Sequence, residues 1–402
     1  MNPGDTIGTL AITDAVAREW DVVIVGAGPA GAFAAHALAR HGLRVLLVDK
    51  AAFPRYKVCG ACLNPRALAV LNAAGLGALA ERCGAEPIEA FHAAIPGRDL
   101  TLAVPGGVAL SREAFDAALI QAAIGAGAQF LPGTVACLGA GKKSGPAAEL
   151  RQGPQYGAVS SRLVLCADGL GSRLIRAALK DAPRIAQDAR VGAGVIVAAA
   201  PAFYESGVIF MACGARGYVG LVRVEDGRLN VAAAFDRGLV RTLGGAGAAA
   251  AAILNEVGWP PIPPLAEDAW RGTARLTVRP PCLGAERVFV LGDAAGYVEP
   301  FTGEGIAWAL ASAEAVVPLA LLAVRRWDPA LIADWECSYR RVIGRRVLCH
   351  AAAGILRRPG LTRAAFSILA QIPGLAAPLL KALNHRPAMR ASHVTPRPRP
   401  RA

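Results

Sequence analysis

Asp21-Val22-Val23-Ile24-Val25-Gly26-Ala27-Gly28-Pro29-Ala30-Gly31 decides how this chain is read. Residues 22–25 are a β-branched run, of the kind that fills a strand buried on both faces of a parallel sheet. Gly26-x-Gly28-x-x-Gly31 then opens a helical stretch through Arg40, which His41-Gly42 stops, and residues 44–48 form a second strand ending at Asp49. The result is one βαβ unit of about 30 residues. Three glycines at this spacing allow a tight turn, a backbone that can approach a pyrophosphate, and close packing of helix on strand. The helix N-terminus, opening at Pro29-Ala30, adds free N–H groups and the positive end of its dipole. Asp49, with Lys50 beside it, stands where a carboxylate accepts hydrogen bonds from ribose hydroxyls. A dinucleotide-binding domain is predicted.

Around that unit the chain has 402 residues, which at roughly 150 per domain implies two or three domains. Its 54% hydrophobic and 18% charged content excludes a disordered chain. The nine cysteines are scattered and odd in number, as expected of a reducing, cytoplasmic setting. Residues 1–20 carry Asp5, Asp14 and Glu19 and lack a continuous apolar stretch, so no secretory leader is expected. Residues 305–324 follow a glycine motif and read as a buried helix. Residues 364–380 fall short of the roughly 20 that span a membrane and contain Gln371, Pro373 and Pro378. No transmembrane helix is predicted.

The net charge of +13 is wholly local: after Glu336 there are 13 Lys and Arg and no Asp or Glu, whereas the preceding body carries 30 of each sign. No basic stripe with interleaved aromatics precedes residue 336, so nucleic acid is not an expected partner. The acid-free end is instead read in two ways. It is either an amphipathic, basic contact for an anionic membrane surface through 337–402, or a helix packed on the body with solvated arginines.

A second motif is Val288-Phe289-Val290-Leu291-Gly292-Asp293, continuing Pro300-Phe301-Thr302-Gly303-Glu304-Gly305-Ile306. A buried strand ending in Gly-Asp can place a carboxylate against a polyol. The glycine turn that follows presents N–H groups to an electron-rich centre. Asp293 taken alone reads equally as a helix N-cap. A further match, Gly245-x-Gly247-x-x-Ala250, follows no clear strand and reads as the start of an ordinary helix.

With these motifs in hand, the chain resembles FAD-dependent oxidoreductases of the p-hydroxybenzoate hydroxylase fold. The marks are Gly26/Gly28/Gly31, Asp168-Gly169, and Gly292-Asp293, and the resemblance covers residues 18–330. It implies FAD, with Asp49 on the adenosine ribose, Asp293 on the ribityl chain, and Gly303, Gly305 and Ile306 facing the flavin N1–C2 edge. Ser111-Arg112 is similar to the family helix whose arginine reaches the cofactor. Arg55-Tyr56-Lys57-Val58-Cys59-Gly60-Ala61-Cys62 is similar to the loop that runs along the flavin in the geranylgeranyl-reductase-like branch. That branch's aromatic substrate-domain signature is not recognisable at residues 217–224. The paired tryptophans of flavin halogenases are absent.

Cys59-x-x-Cys62 reads either as a redox pair beside the flavin or as small residues that pack against it. It lacks the second pair a zinc site needs. His36, inside the first helix, reads as structural. The expected architecture is α/β: a three-layer, Rossmann-like FAD domain (18–80, 111–180, 285–330) with an inserted β-sheet substrate domain (81–110, 181–284). A helical region (331–385) and a disordered tail (386–402) follow. The expected activity is an NADH- or NADPH-linked reductase of an apolar lipid, or a class A monooxygenase on the same scaffold. Localisation is expected to be cytoplasmic, with a peripheral place at the inner membrane surface.

Overall fold

A computed structural model describes residues 8–376 and 378, apart from 105, 143–144, 173, 175–181, 267–268, 300–302 and 345. The expected disordered tail, the end of the helical region and the Pro300-Phe301-Thr302 part of the second motif lie outside the described residues. From the N-terminus, β1 (Glu19–Val25), α1 (Pro29–Arg40) and β2 (Val45–Val48) form the expected βαβ unit. A hairpin, β3 (Ala90–Ile95) and β4 (Arg98–Ala103), comes next. It is followed by α2 (Arg112–Gly125), β5 (Gln129–Leu131) and the long β6 (Gln155–Cys166). Strands β7 (Val191–Val197), β8 (Val208–Gly214), β9 (Gly217–Arg223), β10 (Leu229–Phe235) and β11 (Arg271–Arg275) follow. Then come β12 (Val288–Val290) and four helices: α3 (Gly305–Arg325), α4 (Ala330–Ile343), α5 (Arg346–Leu356) and α6 (Pro359–Gln371).

Two sheets organise these elements. The first runs in the order β12-β6-β1-β2-β5, all parallel, with Gly284–Ala285 added antiparallel at one edge. Its strands are buried almost throughout, which is why they read as apolar runs with no alternation. The strand that leads to Asp168-Gly169 begins at Gln155, and its first half pairs antiparallel with Gly145–Gln152 of a hairpin completed by Val135–Lys142. Helix α3 lies against α1 and is the core helix of this half. Trp308, Leu310 and Val316 are buried, and burial of each side chain of this size contributes roughly 1.5–3 kcal/mol. The apolar length of α3 is thus taken up by protein packing. Trp335 Nε1 donates to the Val290 carbonyl at 3.0 Å and fastens α4 to the sheet.

The second sheet runs β11-β7-β10-β9-β8-β3-β4, antiparallel except where β8 meets β3. Side chains alternate between its faces. Phe210, Ala212 and Val219 pack under the helix Ala246–Glu256 with Tyr204 and Trp259. Met211, Cys213 and Tyr218 face the other way. The glycine match at 245–250 is the start of that helix, as read.

Candidate active site

Strand register brings the site together. Val25 pairs with both Cys166 and Val48, Cys166 with Val290, and Val48 with Leu131. The segments that leave the sheet at Gly26, Asp49, Ala167 and Leu291 therefore emerge side by side at the carboxyl ends of parallel strands, where α/β sheets bind ligands. They line a cavity of about 710 Å³ that continues across the face of the second sheet.

Each glycine of the first loop has a separate reason. Gly26 adopts φ +104, and a Cβ there would lie 2.3 Å from the Ala167 carbonyl oxygen. A Cβ on Gly31 would lie 1.8 Å from the Gly26 carbonyl oxygen. At Gly28 the nearest atoms are Arg112 Nη2 at 3.6 Å and Arg55 Nη2 at 3.9 Å, so the missing side chain leaves open a cradle facing two guanidinium groups. A pyrophosphate fits such a cradle: backbone N–H groups and a helix N-terminus on one side, cations on the other. Asp49, expected to hold ribose, is buried and accepts from Ala27 N at 2.7 Å and from Ala51 N at 2.8 Å. Its carboxylate therefore braces the glycine loop, and its remaining lone pairs line the cavity.

The cations come from a loop and from α2. Arg112 Nε and Nη2 donate to Asp116 Oδ1 and Oδ2 at 2.8 and 2.7 Å, while Arg55 Nη2 lies 3.4 Å from Asp116 Oδ2. Burial, reinforced by the charge of Arg112, holds Arg55 below its ordinary range despite the attraction of Asp116. Lys57 is lowered in the same way, by burial first and by Arg112 next. Crowded, desolvated cations of this kind are relieved by a bound anion. The sequence reading included Arg112 but did not assign roles to Arg55, Lys57 or Asp116. Their partners come from different segments, and only the i, i+4 spacing of Arg112 and Asp116 was legible.

Asp168 and Asp293 face the same cavity from neighbouring strand ends. Gly169 adopts φ +78, which favours glycine, and a Cβ there would lie 3.0 Å from Lys57 Nζ. Gly292, at φ +63, lies against Ala30, where a Cβ would approach to 2.8 Å, so the second motif is locked onto the first. Pro29, Ala30, Lys50, Gly60, Gly303, Gly305 and Ile306 also line the cavity; Gly31 does not, because it faces the strand.

Cys59 and Cys62 both reach the cavity as free thiols. The Cys59 carbonyl accepts from Asn230 Nδ2 at 2.9 Å, which ties this loop to the second sheet. Cys62 is buried, its Sγ donates to the Gly60 carbonyl at 3.0 Å, and burial pushes its thiol up to about 12. A thiol so protonated is a poor nucleophile at neutral pH. His36 lies outside the cavity lining, its ring nitrogens 3.0 and 3.4 Å from the carbonyls of Ala122 and Ala74, a packing role as read.

Beyond the cleft the lining turns apolar. Phe91, Leu102, Ile209 and Met211 come from the second sheet, over backbone left bare at Gly192, Gly220 and Gly272. Leu356, Phe366, Leu369 and Leu375 close the far wall from α5, α6 and the turn after them. Three phenols face this space. Tyr56, whose hydroxyl is buried without a hydrogen-bond partner, is raised above the usual phenol range by burial. Tyr218 and Tyr297 are raised well above it, again by burial first. They remain neutral O–H donors, a feature the sequence reading lacked.

Two C-terminal arginines depart from the solvated state of the packed-helix reading. Arg346 is buried, donating to the Gly296 carbonyl at 2.8 Å with its guanidinium 4.7 Å from the Trp308 ring centroid. Arg357 Nη2 donates to the buried Glu299 at 3.0 Å, which also accepts from Arg190 at 3.1 Å. These contacts fasten α5 over the second motif. They rely on partners that precede residue 336, a carbonyl and a ring for Arg346 and the Glu299 carboxylate for Arg357.

A parallel sheet with a glycine cradle at its carboxyl edge, facing a cationic loop and joined to an apolar cavity, is the geometry of a dinucleotide-binding protein. Residues 19–324 match the FAD binding domain family, and the chain belongs to it. A menaquinone reductase of Mycobacterium tuberculosis is 60% identical over 57 residues, 14% of each chain. Digeranylgeranylglycerophospholipid reductase 2 of Methanopyrus kandleri is 35% identical over 172 residues, 40% of each chain. The chain thus spans well under half the length of these curated relatives. In overall fold it is similar to a flavoprotein/dehydrogenase of Cytophaga hutchinsonii, with a TM-score of 0.77 at 16% identity, covering 91% of this chain and 93% of that one.

Proposed function

We propose that the protein is an NADH- or NADPH-linked reductase of an apolar, lipid-like substrate, an isoprenoid or a polyketide-type chain. The observation that carries this reading is the apolar extension of the cavity, lined by Phe91, Leu102, Met211, Phe366 and Leu369 and continuous with the flavin cleft. Two curated relatives are reductases by name, which supports the same direction. Bound FAD would supply two-electron transfer between the nicotinamide and the substrate.

The chain's own part is binding and proton management. Gly26, Gly28, Arg55 and Arg112 would hold the pyrophosphate, and Asp293 the ribityl hydroxyls. Reducing a carbon–carbon double bond takes up a hydride equivalent and a proton. NADH or NADPH provides the first, and an O–H lining the cavity provides the second. Tyr56, Tyr218 and Tyr297 offer that group, and their burial keeps the proton on.

The test is anaerobic turnover with a panel of isoprenoid and polyketide-like lipids. The reading expects nicotinamide oxidation without oxygen and a product heavier by two hydrogens. Turnover that requires oxygen and inserts one of its atoms would assign the monooxygenase activity instead.

A further inference from the structure

We infer that the outer face of α6 and the turn after it rests on an anionic phospholipid bilayer, with the cavity mouth opening towards the lipid. This inference depends on the apolar-substrate reading above and adds a route of entry to it.

Helix α6 has two apolar sides. Thr362 and Phe366 are buried, and Phe366 and Leu369 line the cavity. Leu361, Ile368 and Ile372 form another side, at i, i+7 and i+11, and are 49%, 52% and 56% exposed. Leu375 belongs to both settings: it lines the cavity and is 53% exposed, so the cavity reaches the surface at this edge. Single exposed apolar residues are ordinary. Here, half of the exposed large apolar side chains among the described residues fall between Val347 and Leu375. A groove shared by Ile355, Arg358 and Leu361 joins the outer sides of α5 and α6.

Charge selects the occupant. After Glu336 the chain has no acidic residue. Arg346 and Arg357 are spent inward, but Arg358 and Arg363 are exposed at the start of α6. Lys381, Arg386, Arg390, Arg397, Arg399 and Arg401 follow in sequence. Of the neighbouring acids, Asp188 pairs with Arg357, and Asp99 lies 3.3 Å from His92 Nε2. An apolar face flanked by unopposed cations matches an anionic lipid surface, where apolar side chains enter the acyl boundary and cations meet phosphates.

The experiment is flotation of the full-length, FAD-loaded protein with vesicles of equimolar phosphatidylglycerol and phosphatidylcholine, against phosphatidylcholine alone. Binding to the anionic vesicles should be at least about tenfold tighter. The double variant Ile368→Glu/Ile372→Glu touches no cavity-lining residue. It should lose about tenfold or more of that binding, with its flavin absorbance intact as proof of folding. Equal binding to both vesicles, or unchanged binding by the double variant, would overturn the inference. Vesicle binding is read without substrate. A protein that floats but reduces no lipid therefore keeps the docking face and loses the substrate reading, and the reverse result does the opposite.

Discussion

Arg112 and Asp116, one turn apart on α2, meet through two parallel hydrogen bonds of 2.8 and 2.7 Å, and Asp116 has no exposure to solvent. Burial works against the Arg112 charge, but Asp116 outweighs it and the guanidinium ends above its ordinary range. Arg112→Ala would leave the buried Asp116 carboxylate with Arg55 as its remaining cation, at a cost of up to about 3 kcal/mol. Thermal unfolding should register that loss, and Arg112→Lys should recover only part of it, because an ammonium cannot reproduce the bidentate fork. Stability unchanged in Arg112→Ala would contradict the pairing.

Gly28 and Gly31 should separate cofactor binding from folding. Gly31→Ala places a Cβ 1.8 Å from the Gly26 carbonyl oxygen, so the turn must deform, at a cost above about 3 kcal/mol. Gly28→Ala meets nothing closer than 3.6 Å and should keep its melting temperature without cofactor. Titration with FAD should nevertheless show at least about tenfold weaker binding, because the methyl group fills the phosphate cradle.

Cys62 should be unreactive near neutral pH. Alkylation needs the thiolate, and a thiol pushed up to about 12 stays protonated until well above pH 10. Mass spectrometry after iodoacetamide treatment of the folded protein at pH 8 should find Cys62 unmodified and the exposed Cys137 and Cys337 labelled. Cys62→Ser should leave turnover within a few-fold of the native value; its abolition would restore a redox role for the pair.

The Tyr56 hydroxyl is buried in the cavity wall without a hydrogen-bond partner. Tyr56→Phe should lower kcat by about 10²-fold or more while leaving FAD affinity unchanged. Because burial raises this phenol, its proton is retained through pH 10, where an exposed tyrosine would already be losing it. A kcat profile that falls between pH 9 and 10 would therefore point to another donor.

What could be read from sequence was whatever is local. The Gly26/Gly28/Gly31 spacing, the β-branched strand before it and the Gly292-Asp293 turn carry their geometry within a dozen residues, and the structure brings them together. Tyr218 and Tyr297 were invisible as cavity groups because each owes its place to strand register or to a distant bridge, Tyr297 pairing with Val278. Residues 81–110 were assigned to the β-sheet domain, but β3 was not drawn as a strand because three alanines dilute its alternation. Arg346 and Arg357 looked like solvated charge, since Gly296 and Glu299, which capture them, precede the acid-free stretch. Long-range pairing sets the functional half of the cavity, and composition alone is blind to it.

The parallel sheet has a temporal consequence. Strand β1 is made early, but β6 is joined on its far side by β12, which is some 290 residues into the chain, and the outer wall of the cavity is made after residue 356. Such non-local pairing makes folding slow and leaves sheet edges open while synthesis proceeds. During that interval the nascent domain presents a half-built cleft with its greasy floor uncovered. A chain ending between α4 and α6 would keep the glycine cradle, Arg112 and Asp293 but lack the outer wall that Phe366 and Leu369 supply.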